Sequence, residues 1–501
     1  MEVSWIRAFT PVLGTKIYAF AMSLATYLLA TLVGSQLYRM NVKRKKVLST
    51  PTLIGLCFVF GFLPILLGDP RISPTWSTLL ASIFPICLGL GYLTPKLIDQ
   101  FSQGDPGEAG RSYAINILGG ILGPVFAAYL LIPGFGVKWT LILLAAPYGI
   151  LFLFSLESGK PSVPVKWIIG ATGSAGALVA MFYSATFENP RFYGEKTLVL
   201  RDHTATVIAY GDGTRKRLLV NGVSMTILSP IVKMMVHLPL SVREKKPESG
   251  LIIAFGMGTS LRSMASWGIE TKCVDLIPGV PKAMSYFHKD AEAVKSAPNV
   301  EVIIDDGRRY LKRTSKKFDV IIIDPPPPVE SAGTSLLYSI EFNQIVADHL
   351  NEGGIFQAWF PSGEFKIFKG MLTSLVQVFP HVKVYESMAG WGLHLLASKE
   401  PFETPTPDQM VSRLPERAKK DLMEWAKDKD IREYVNLTLK KEIPIHTFLN
   451  DGDPSIYISD DRPFNEYFLL RRLRDNNIGK AGLVEELFLR SSPDKAKMKG
   501  N

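Results

Sequence analysis

The sequence predicts a multi-pass helical membrane domain, then a small β subdomain, then an α/β domain built on a parallel sheet. Long apolar runs are concentrated in residues 1–186, whereas all seven histidines follow residue 200. Short alternating apolar runs occupy about residues 191–222. Four runs rich in Ile and Val, between residues 250 and 324, each end on a glycine or an acid. Fully buried parallel strands have this last pattern, because helices cover both faces of their sheet.

Composition supports a membrane protein and argues against a nucleic-acid partner. The 501 residues are 47% hydrophobic and only 20% charged, and the mean hydropathy of +0.15 is high for a soluble enzyme. The formal net charge is +10, but Lys and Arg cluster in short loops and on predicted helical surfaces, which favours a membrane anchor with basic flanks. The three cysteines have neither metal-binding nor disulfide spacing, so we predict no metal site.

About six segments of residues 1–186 approach the ~20 apolar residues that cross a bilayer. We expect a multi-pass protein of the cell membrane, with the lipid bilayer as a partner. Loop Lys and Arg counts place the soluble domain outside the cytoplasm, whereas a cytosolic nucleoside ligand argues for the inside, so the sequence leaves the side open. Glycines in the fourth and sixth segments predict close helix packing. The segments are 17–38, 51–68, 74–98, 113–132, 139–156 and 165–185.

The remainder of the chain divides into three predicted parts. Residues 187–245 form a small β subdomain and a linking helix, with a hairpin at Gly211-Asp-Gly213. Residues 246–400 form the nucleoside-binding α/β domain, and residues 401–501 form a helical C-terminal extension. Within the extension we expect a turn at 459–463 followed by a helix from Phe464.

The strand ends of the α/β domain predict a nucleoside site, because ligands of such sheets bind outside the carboxyl ends of the strands. Gly256 and Gly258 allow a tight turn and a close approach of the backbone to the ligand. Asp275 ends the second strand, where an acid accepts two ribose hydroxyls. Asp306 follows the third strand and can accept from an adenine amino group, while Asp324 ends the fourth strand beside the reacting group. The alternative is an α/β domain whose acids only cap helices.

Motifs in both halves of the chain resemble the membrane-fused spermidine synthase-like proteins, a branch of the aminopropyltransferases. The resemblance implies a class I methyltransferase-like (Rossmann-type) fold behind a small β domain, and a homodimer. In the first half the motifs are Tyr113-Ala-Ile-Asn116-Ile-Leu-Gly119 and Leu131-Ile-Pro133-Gly-Phe-Gly136. In the second half they are Asn221-Gly222, His237-Leu-Pro239, Asp306-Gly307-Arg308, Leu337-Tyr338, Glu341-Phe342 and Asp460-Asp461-Arg462-Pro463.

The resemblance also implies an activity in polyamine biosynthesis. An aminopropyl group would pass from decarboxylated S-adenosylmethionine, a co-substrate rather than a permanently bound cofactor, to a polyamine or another small-molecule amine, and methylthioadenosine would be released. An acid near the reacting carbon would deprotonate the attacking amine. The implied residues are Asp324 as the catalytic acid, Gly256, Gly258, Asp275, Asp306 and Gly307 for the nucleoside co-substrate, and Tyr338 and Asp461 for the acceptor.

Three departures from the resemblance concern the acceptor. Lys233-Met-Met-Val236 replaces a Tyr-His-Glu sequence, Met225 replaces a glutamine, and Pro327 replaces the second acid of the loop after Asp324. In soluble synthases these groups hold the diamine, so the donor site is kept and the diamine site is altered. Two alternatives stay open: a methyltransferase that uses S-adenosylmethionine on a small amine, and a non-catalytic membrane protein that binds a nucleoside or polyamine. A methyltransferase needs a group for the donor carboxylate near the glycine loop, and Arg262 is the candidate.

Overall fold

The computed structural model describes residues 1–158, 163–324, 328–361, 363–449 and 454–474. It divides into two compact units. The first contains Met1–Ile208 and Val220–Val223, and the second contains Ala209–Leu219 and Ser224–Asn501.

The first unit is built mainly of helices. Five helices are long and apolar enough to cross a membrane, by length and composition: Ile17–Lys43, Thr50–Leu67, Trp76–Ser102, Pro106–Ser155 and Val165–Phe182. The individual segments are α1 (Glu2–Leu13), α2 (Ile17–Lys43), α3 (Thr50–Phe60), α4 (Leu63–Leu67), α5 (Trp76–Ser102), α6 (Pro106–Phe126), a π-helical turn (Ala127–Leu131), α7 (Ile132–Ser158) and α8 (Val163–Phe182).

The count of five differs from the six spans that the sequence predicts. The predicted fourth and fifth spans lie in one helical run, Pro106–Ser155. The Gly134-Phe-Gly136 sequence predicts a loop, but only Gly136, with φ 73° and ψ 175°, departs from helical geometry there. Fifty helical residues extend about 75 Å, more than twice the ~30 Å hydrocarbon core of a bilayer. The kink at Gly136 is therefore where this run changes direction.

Some glycines of the apolar helices permit close helix packing and others do not. A Cβ at Gly34 of α2 would lie 2.2 Å from the carbonyl oxygen of Leu88 in α5, and a Cβ at Gly173 would lie 2.4 Å from the ring of Phe58. By contrast, a Cβ at Gly119 or Gly120 would meet no described atom within 4 Å. The prediction that glycines allow close helix packing is therefore confirmed in the last predicted span. For α6 it is wrong among the residues that the structure describes.

This difference predicts opposite outcomes for two matched substitutions. Gly34→Ala should lower the free energy of unfolding by about 1–3 kcal/mol, because the added methyl group forces the α2 and α5 backbones apart. Gly119→Ala should be neutral or slightly stabilising, because its methyl group meets no neighbour and alanine favours a helix. Thermal unfolding of the detergent-solubilised full chain checks both, and equal melting temperatures for the two variants would contradict the packing described.

A small antiparallel sheet precedes the larger one. Its four strands pair in sequence order, and the predicted hairpin at Gly211–Gly213 is confirmed between the second and third strands. Gly211 and Gly213 have φ of 93° and 56°, in the region that favours glycine. The strands are β1 (Leu198–Arg201), β2 (Thr206–Tyr210), β3 (Arg217–Val220) and β4 (Val223–Ile227).

The second unit contains an eight-stranded sheet that positions the site. The order across the sheet is β12-β10-β11-β9-β8-β5-β6-β7. Strands β5 to β9 are parallel. Beyond β9 each neighbouring pair is antiparallel: β9 with β11, β11 with β10, and β10 with β12. The strands are β5 (Ser249–Ile253), β6 (Glu270–Asp275), β7 (Val300–Ile304), β8 (Phe318–Ile323), β9 (Leu350–Phe360), β10 (His381–Glu386), β11 (Leu393–Ser398) and β12 (Glu442–Ile443). The four apolar runs that the sequence predicts as strands are β5, β6, β7 and β8.

Helices cover this sheet and build the C-terminal extension. The linking helix is confirmed as α9, which Ser229 caps by accepting from the Ile231 N–H. The helices are α9 (Pro230–Val242), α10 (Thr259–Ala265), α11 (Gly279–Lys282), α12 (Met284–Phe287), α13 (Ala291–Lys295), α14 (Gly307–Arg313), α15 (Ile340–Asp348), α16 (Phe365–Val376), α17 (Pro407–Arg413), α18 (Glu416–Leu422), α19 (Ile431–Leu439), α20 (His446–Leu449) and α21 (Phe468–Arg474).

The prediction of a helix from Phe464 is wrong, because α21 begins at Phe468. The intervening residues use their side chains to hold a turn. Asn465 donates from Nδ2 to the carbonyl oxygen of Val329 at 2.6 Å, and Glu466 accepts from the Ser335 N–H at 3.1 Å. These bonds fix the turn against the loop after β8 and delay the start of the helix.

Candidate active site

The predicted acids Asp275 and Asp324 lie at the carboxyl edge of the parallel strands. Val274 pairs in register with Ile253, and Ile253 pairs with Ile323. The next residues, Asp275 and Asp324, therefore lie on either side of the end of β5. Neighbouring strands are about 4.8 Å apart, which places the two backbones roughly 10 Å from each other. A ligand that touches both acids must cross the glycine loop that follows β5.

The glycine loop combines three residues in the left-handed region. Ala254, Gly256 and Gly258 have φ of 76°, 56° and 83°. A Cβ on Gly258 would lie 2.7 Å from Cγ of Met284, whereas the nearest atom to a Cβ on Gly256 is 3.7 Å away. Gly258 is therefore required by packing and Gly256 by its φ. Strain at the non-glycine Ala254 is of a kind that clusters at ligand sites.

Asp275 is held by two backbone N–H groups. Its Oδ2 accepts from Phe255 in the glycine loop and its Oδ1 from Ile277, both at 2.8 Å. Burial raises the pKa of this carboxyl group, and the two hydrogen bonds partly oppose that effect. Each carboxylate oxygen retains a second lone pair, so Asp275 can still accept from the hydroxyls of a ribose.

Asp306 caps α14, and Gly307 lets that helix approach β5. Oδ1 of Asp306 accepts from the Arg309 N–H at 2.7 Å. A Cβ on Gly307 would lie 2.4 Å from Cγ2 of Ile253, so only glycine allows this contact. The helix-capping alternative therefore holds for one oxygen of Asp306. Its other oxygen, Oδ2, forms no hydrogen bond within the described residues.

Asp324 differs from the other acids because it lacks a partner. Its backbone N–H donates to the carbonyl oxygen of Ile253 at 3.2 Å, but no described group hydrogen-bonds its carboxyl oxygens. Burial raises the pKa of Asp324 to about 7. A carboxyl group with such a pKa exchanges a proton readily near neutral pH, as a general base requires. Residues 325–327, including Pro327, lie outside the described part of the chain.

The structure brings Tyr338 to Asp324. Burial and the nearby Asp324 carboxylate both raise the pKa of the Tyr338 phenol, in that order. The phenol therefore keeps its proton and can donate it in a hydrogen bond. Tyr338 is 4% exposed and lines a small apolar cavity with Ile323, Leu337 and Phe356. The predicted pocket position of Tyr338 is consistent with this placement.

The structure places Asp461 differently from its neighbour Asp460. Asp461 is exposed on the turn before Pro463 and forms no contact with the other described site residues. Asp460 instead accepts from Nη1 of Arg308 at 2.7 Å and from the Ser339 hydroxyl at 2.8 Å. Asp460 thus joins α14, α15 and the C-terminal turn. The Asp-Gly-Arg motif contained the only sequence signal for this ion pair.

A buried ionic cluster supports the helix that follows the glycine loop. Lys233 of α9 is fully buried, and its Nζ lies 2.6 Å from Oε2 of Glu424 and 3.3 Å from Oδ1 of Asp421. Oδ2 of Asp421 accepts from the Ser263 hydroxyl of α10 at 2.7 Å. Burial would raise the pKa of Asp421, but the hydrogen bond to His237 and the charge of Lys233 outweigh it and lower that pKa.

His237 is satisfied within this cluster, as expected of a structural histidine. Its Nδ1 accepts from Nε1 of Trp267 at 3.0 Å, and its Nε2 lies 2.9 Å from Oδ2 of Asp421. Since the indole can only donate, Nδ1 carries no proton, and Nε2–H donates to the carboxylate. Sequence reasoning missed Asp421, which lies 184 residues from His237.

Arg262 belongs to the same cluster. Its Nε lies 2.7 Å from Oδ2 of Asp290, and its Nη1 lies 2.5 Å from Oε2 of Glu424 and 3.4 Å from Oδ1 of Asp421. Three acids therefore surround the one basic residue of the glycine loop and α10, and they occupy the guanidinium that would otherwise be free for a donor carboxylate.

The cluster predicts a large loss of stability on removing its central acid. Asp421→Ala should lower the free energy of unfolding by about 3–5 kcal/mol, because Lys233 stays buried with less compensation. Asp408→Ala is the control: its ion pair with Arg432 at 2.7 Å is exposed, and such pairs contribute about 0–1 kcal/mol. Denaturant unfolding of the full chain in detergent compares the two variants. If both lose a similar amount of unfolding free energy, the buried cluster does not stabilise the fold.

Part of the chain is similar to known proteins. Residues 230–389 match the family model of the spermine/spermidine synthase domain. A polyamine aminopropyltransferase of Thermoplasma volcanium is 29% identical over 156 residues, which are 30% of this chain and 56% of that protein. Polyamine aminopropyltransferase 2 of Aquifex aeolicus is 26% identical over 305 residues, 57% of this chain and 60% of that protein. The chain thus spans little more than half the length of these curated relatives.

Solved structures are similar over a comparable part of the chain. The crystal structure of spermidine synthase from Thermotoga maritima matches with a TM-score of 0.35 and 22% identity, covering 45% of this chain and 86% of that protein.

Proposed function

We propose that the chain is an aminopropyltransferase that moves an aminopropyl group from decarboxylated S-adenosylmethionine to an amine. The observation that carries the proposal is Asp324, a half-buried carboxyl group with a pKa of about 7 that ends the strand beside the glycine loop. Its position across β5 from Asp275 provides one group for the reacting amine and another for the ribose. The spermidine synthase-like domain and the names of its relatives support the same activity.

The reaction needs only groups that the site provides. The amine lone pair attacks the aminopropyl carbon bonded to the sulfonium sulfur, and a C–N bond forms as the C–S bond breaks. The C–S electron pair goes to sulfur, which leaves as the neutral thioether of methylthioadenosine. The ionised Asp324 carboxylate takes the proton that the amine nitrogen loses. Before transfer, the same carboxylate stabilises the cationic amine. The Tyr338 phenol can donate a hydrogen bond to that carboxylate.

The surroundings of Arg262 favour the decarboxylated donor over S-adenosylmethionine. The donor of a methyltransferase carries a carboxylate that needs a cation or several N–H groups near the glycine loop. Arg262 is paired with Asp290, Glu424 and Asp421, so a carboxylate there would compete with three acids. We therefore place methylation of a small amine behind aminopropyl transfer.

The proposal extends to the first unit. The five apolar helices would anchor the enzyme as a multi-pass protein of the cell membrane, with residues 1–186 as the membrane domain and residues 246–400 as the catalytic domain. The homodimer implied by the family resemblance belongs to the same proposal, and the mass of the detergent-solubilised protein tests it.

Asp324→Asn should lower the rate of aminopropyl transfer by about 10²–10⁴-fold, because the amide cannot take the proton. The kcat/KM of the unmodified enzyme should rise with pH and show an inflection near pH 7, where free Asp324 ionises. Deprotonation of the acceptor's ammonium group raises the rate of both proteins at higher pH, so only the inflection near pH 7 should disappear in the variant. Methylthioadenosine release between pH 5.5 and 9 measures both profiles.

The matched control is Asp348→Asn, which changes an exposed acid at the end of α15 and should leave the rate unchanged. Transfer by Asp324→Asn within threefold of the unmodified rate would contradict the role of Asp324.

A further inference from the structure

The row of residues that contains Asp275 and Asp324 continues across two more strands. Ile323 pairs in register with Ala358, so Trp359 lies beside Asp324, and Trp359 pairs with His394. Residues in register project from the same face of a sheet. The rings of Trp359 and His394 confirm this, since their centroids lie 4.8 Å apart. His394 therefore lies two strands from Asp324, about 10 Å away, on the side opposite Asp275.

His394 is a buried polar group without a partner. It is 0% exposed, and neither of its ring nitrogens has a hydrogen-bond partner among the described residues. Burial lowers its pKa to about 3, so the imidazole is neutral at physiological pH and presents one N–H donor and one acceptor. Oε1 of Gln357, two residues before Trp359 on the same face, also lacks a partner. Buried polar atoms without a hydrogen-bond partner are rare in folded proteins. A ligand that forms hydrogen bonds with these atoms would explain why the protein leaves them unpaired.

Two indole rings lie beside His394. Trp359 and Trp391 have centroids 5.8 Å apart in an edge-to-face arrangement, and Trp391 is 44% exposed. A Cβ on Gly392 would lie 2.3 Å from the ring of Trp359, so only glycine lets the turn that carries Trp391 pack against that ring. Trp359, Trp391 and His394 are here called the aromatic wall.

The charges near the aromatic wall are already compensated. The three acids between residues 350 and 398 all have basic partners in the structure. Glu364 pairs with Arg471 at 2.8 Å, Glu386 with Lys441 at 2.9 Å and Glu352 with Lys245 at 3.8 Å. Asp275 and Asp306, in contrast, have no described cationic partner and lie on the donor side of Asp324. A second ammonium group on the acceptor would therefore find no unpaired carboxylate on these strands.

We propose that the aromatic wall binds the tail of the acceptor and selects an amine whose far end is an uncharged hydrogen-bonding group, such as a hydroxyl, over a diamine. The inference rests on the proposed aminopropyl transfer. A hydroxyl group both donates and accepts, so it can satisfy the neutral His394 imidazole. The indoles attract an ammonium group through their faces, but that attraction is smaller than the cost of removing the ammonium from water without a carboxylate.

The test compares three acceptors of one chain length: 4-aminobutan-1-ol, 1,4-diaminobutane and butylamine. Methylthioadenosine release is measured with decarboxylated S-adenosylmethionine and the full chain in detergent. We expect kcat/KM for the amino alcohol to exceed that for the diamine by at least tenfold. His394→Leu should raise KM for the amino alcohol about tenfold with little change in kcat, and should leave butylamine unaffected, because butylamine lacks the hydroxyl group.

The control is His381→Leu, which should alter no acceptor, because His381 begins β10 and pairs with Ser398, at the other end of β11 from His394. Retention of a thermal shift by methylthioadenosine establishes that His394→Leu is folded; if that variant does not fold, the acceptor ranking of the unmodified enzyme decides. A preference for the diamine, or an equal effect of His394→Leu on all three acceptors, would overturn the inference while leaving aminopropyl transfer intact. If none of the three amines leads to methylthioadenosine release, both the inference and the proposed aminopropyl transfer are overturned.

Discussion

The site depends on a carboxyl group placed at the end of a strand that is buried throughout. All six residues of β8 are buried, because helices cover both faces of the parallel sheet, and Asp324 follows directly. Its pKa is therefore raised by burial rather than by a neighbouring charge. The same parallel register puts Asp275 across the glycine loop, so the geometry that raises this pKa also places the acid that we propose for the ribose.

Ion pairs elsewhere in the second unit hold the helices that flank the carboxyl edge of the sheet. Lys233, Asp421 and Ser263 tie α9, α18 and α10 together, and Arg308 with Asp460 ties α14 to the C-terminal turn. The buried pair of Lys233 with Asp421 costs desolvation free energy, and breaking such a pair is strongly destabilising. The cluster also occupies Arg262, so one set of contacts both fixes the helix after the glycine loop and removes a cation that a donor carboxylate could use.

Sequence reasoning succeeded where the signal was local. A buried parallel strand is a short apolar run, so the ends of β5, β6, β7 and β8 could be predicted together with Asp275 and Asp324. It failed where the local structure depends on residues that are distant in the sequence. Asp460 rather than Asp461 enters the ion-pair network because Arg308, 152 residues away, reaches it. The start of α21 depends on side chains that bond to the loop after β8, and the single helical run through residues 113–156 depends on a glycine that kinks without breaking it.

The central claim is that the site binds a nucleoside donor without a carboxylate. The most direct test is the melting temperature of the purified full chain with decarboxylated S-adenosylmethionine, with methylthioadenosine and with S-adenosylmethionine. A ligand at a hundredfold excess over its Kd stabilises the native state by about 2.7 kcal/mol. We expect a rise in melting temperature with the first two ligands and none with the third. A rise with S-adenosylmethionine as large as with its decarboxylated form, or no rise with any of the three in folded protein, would contradict it.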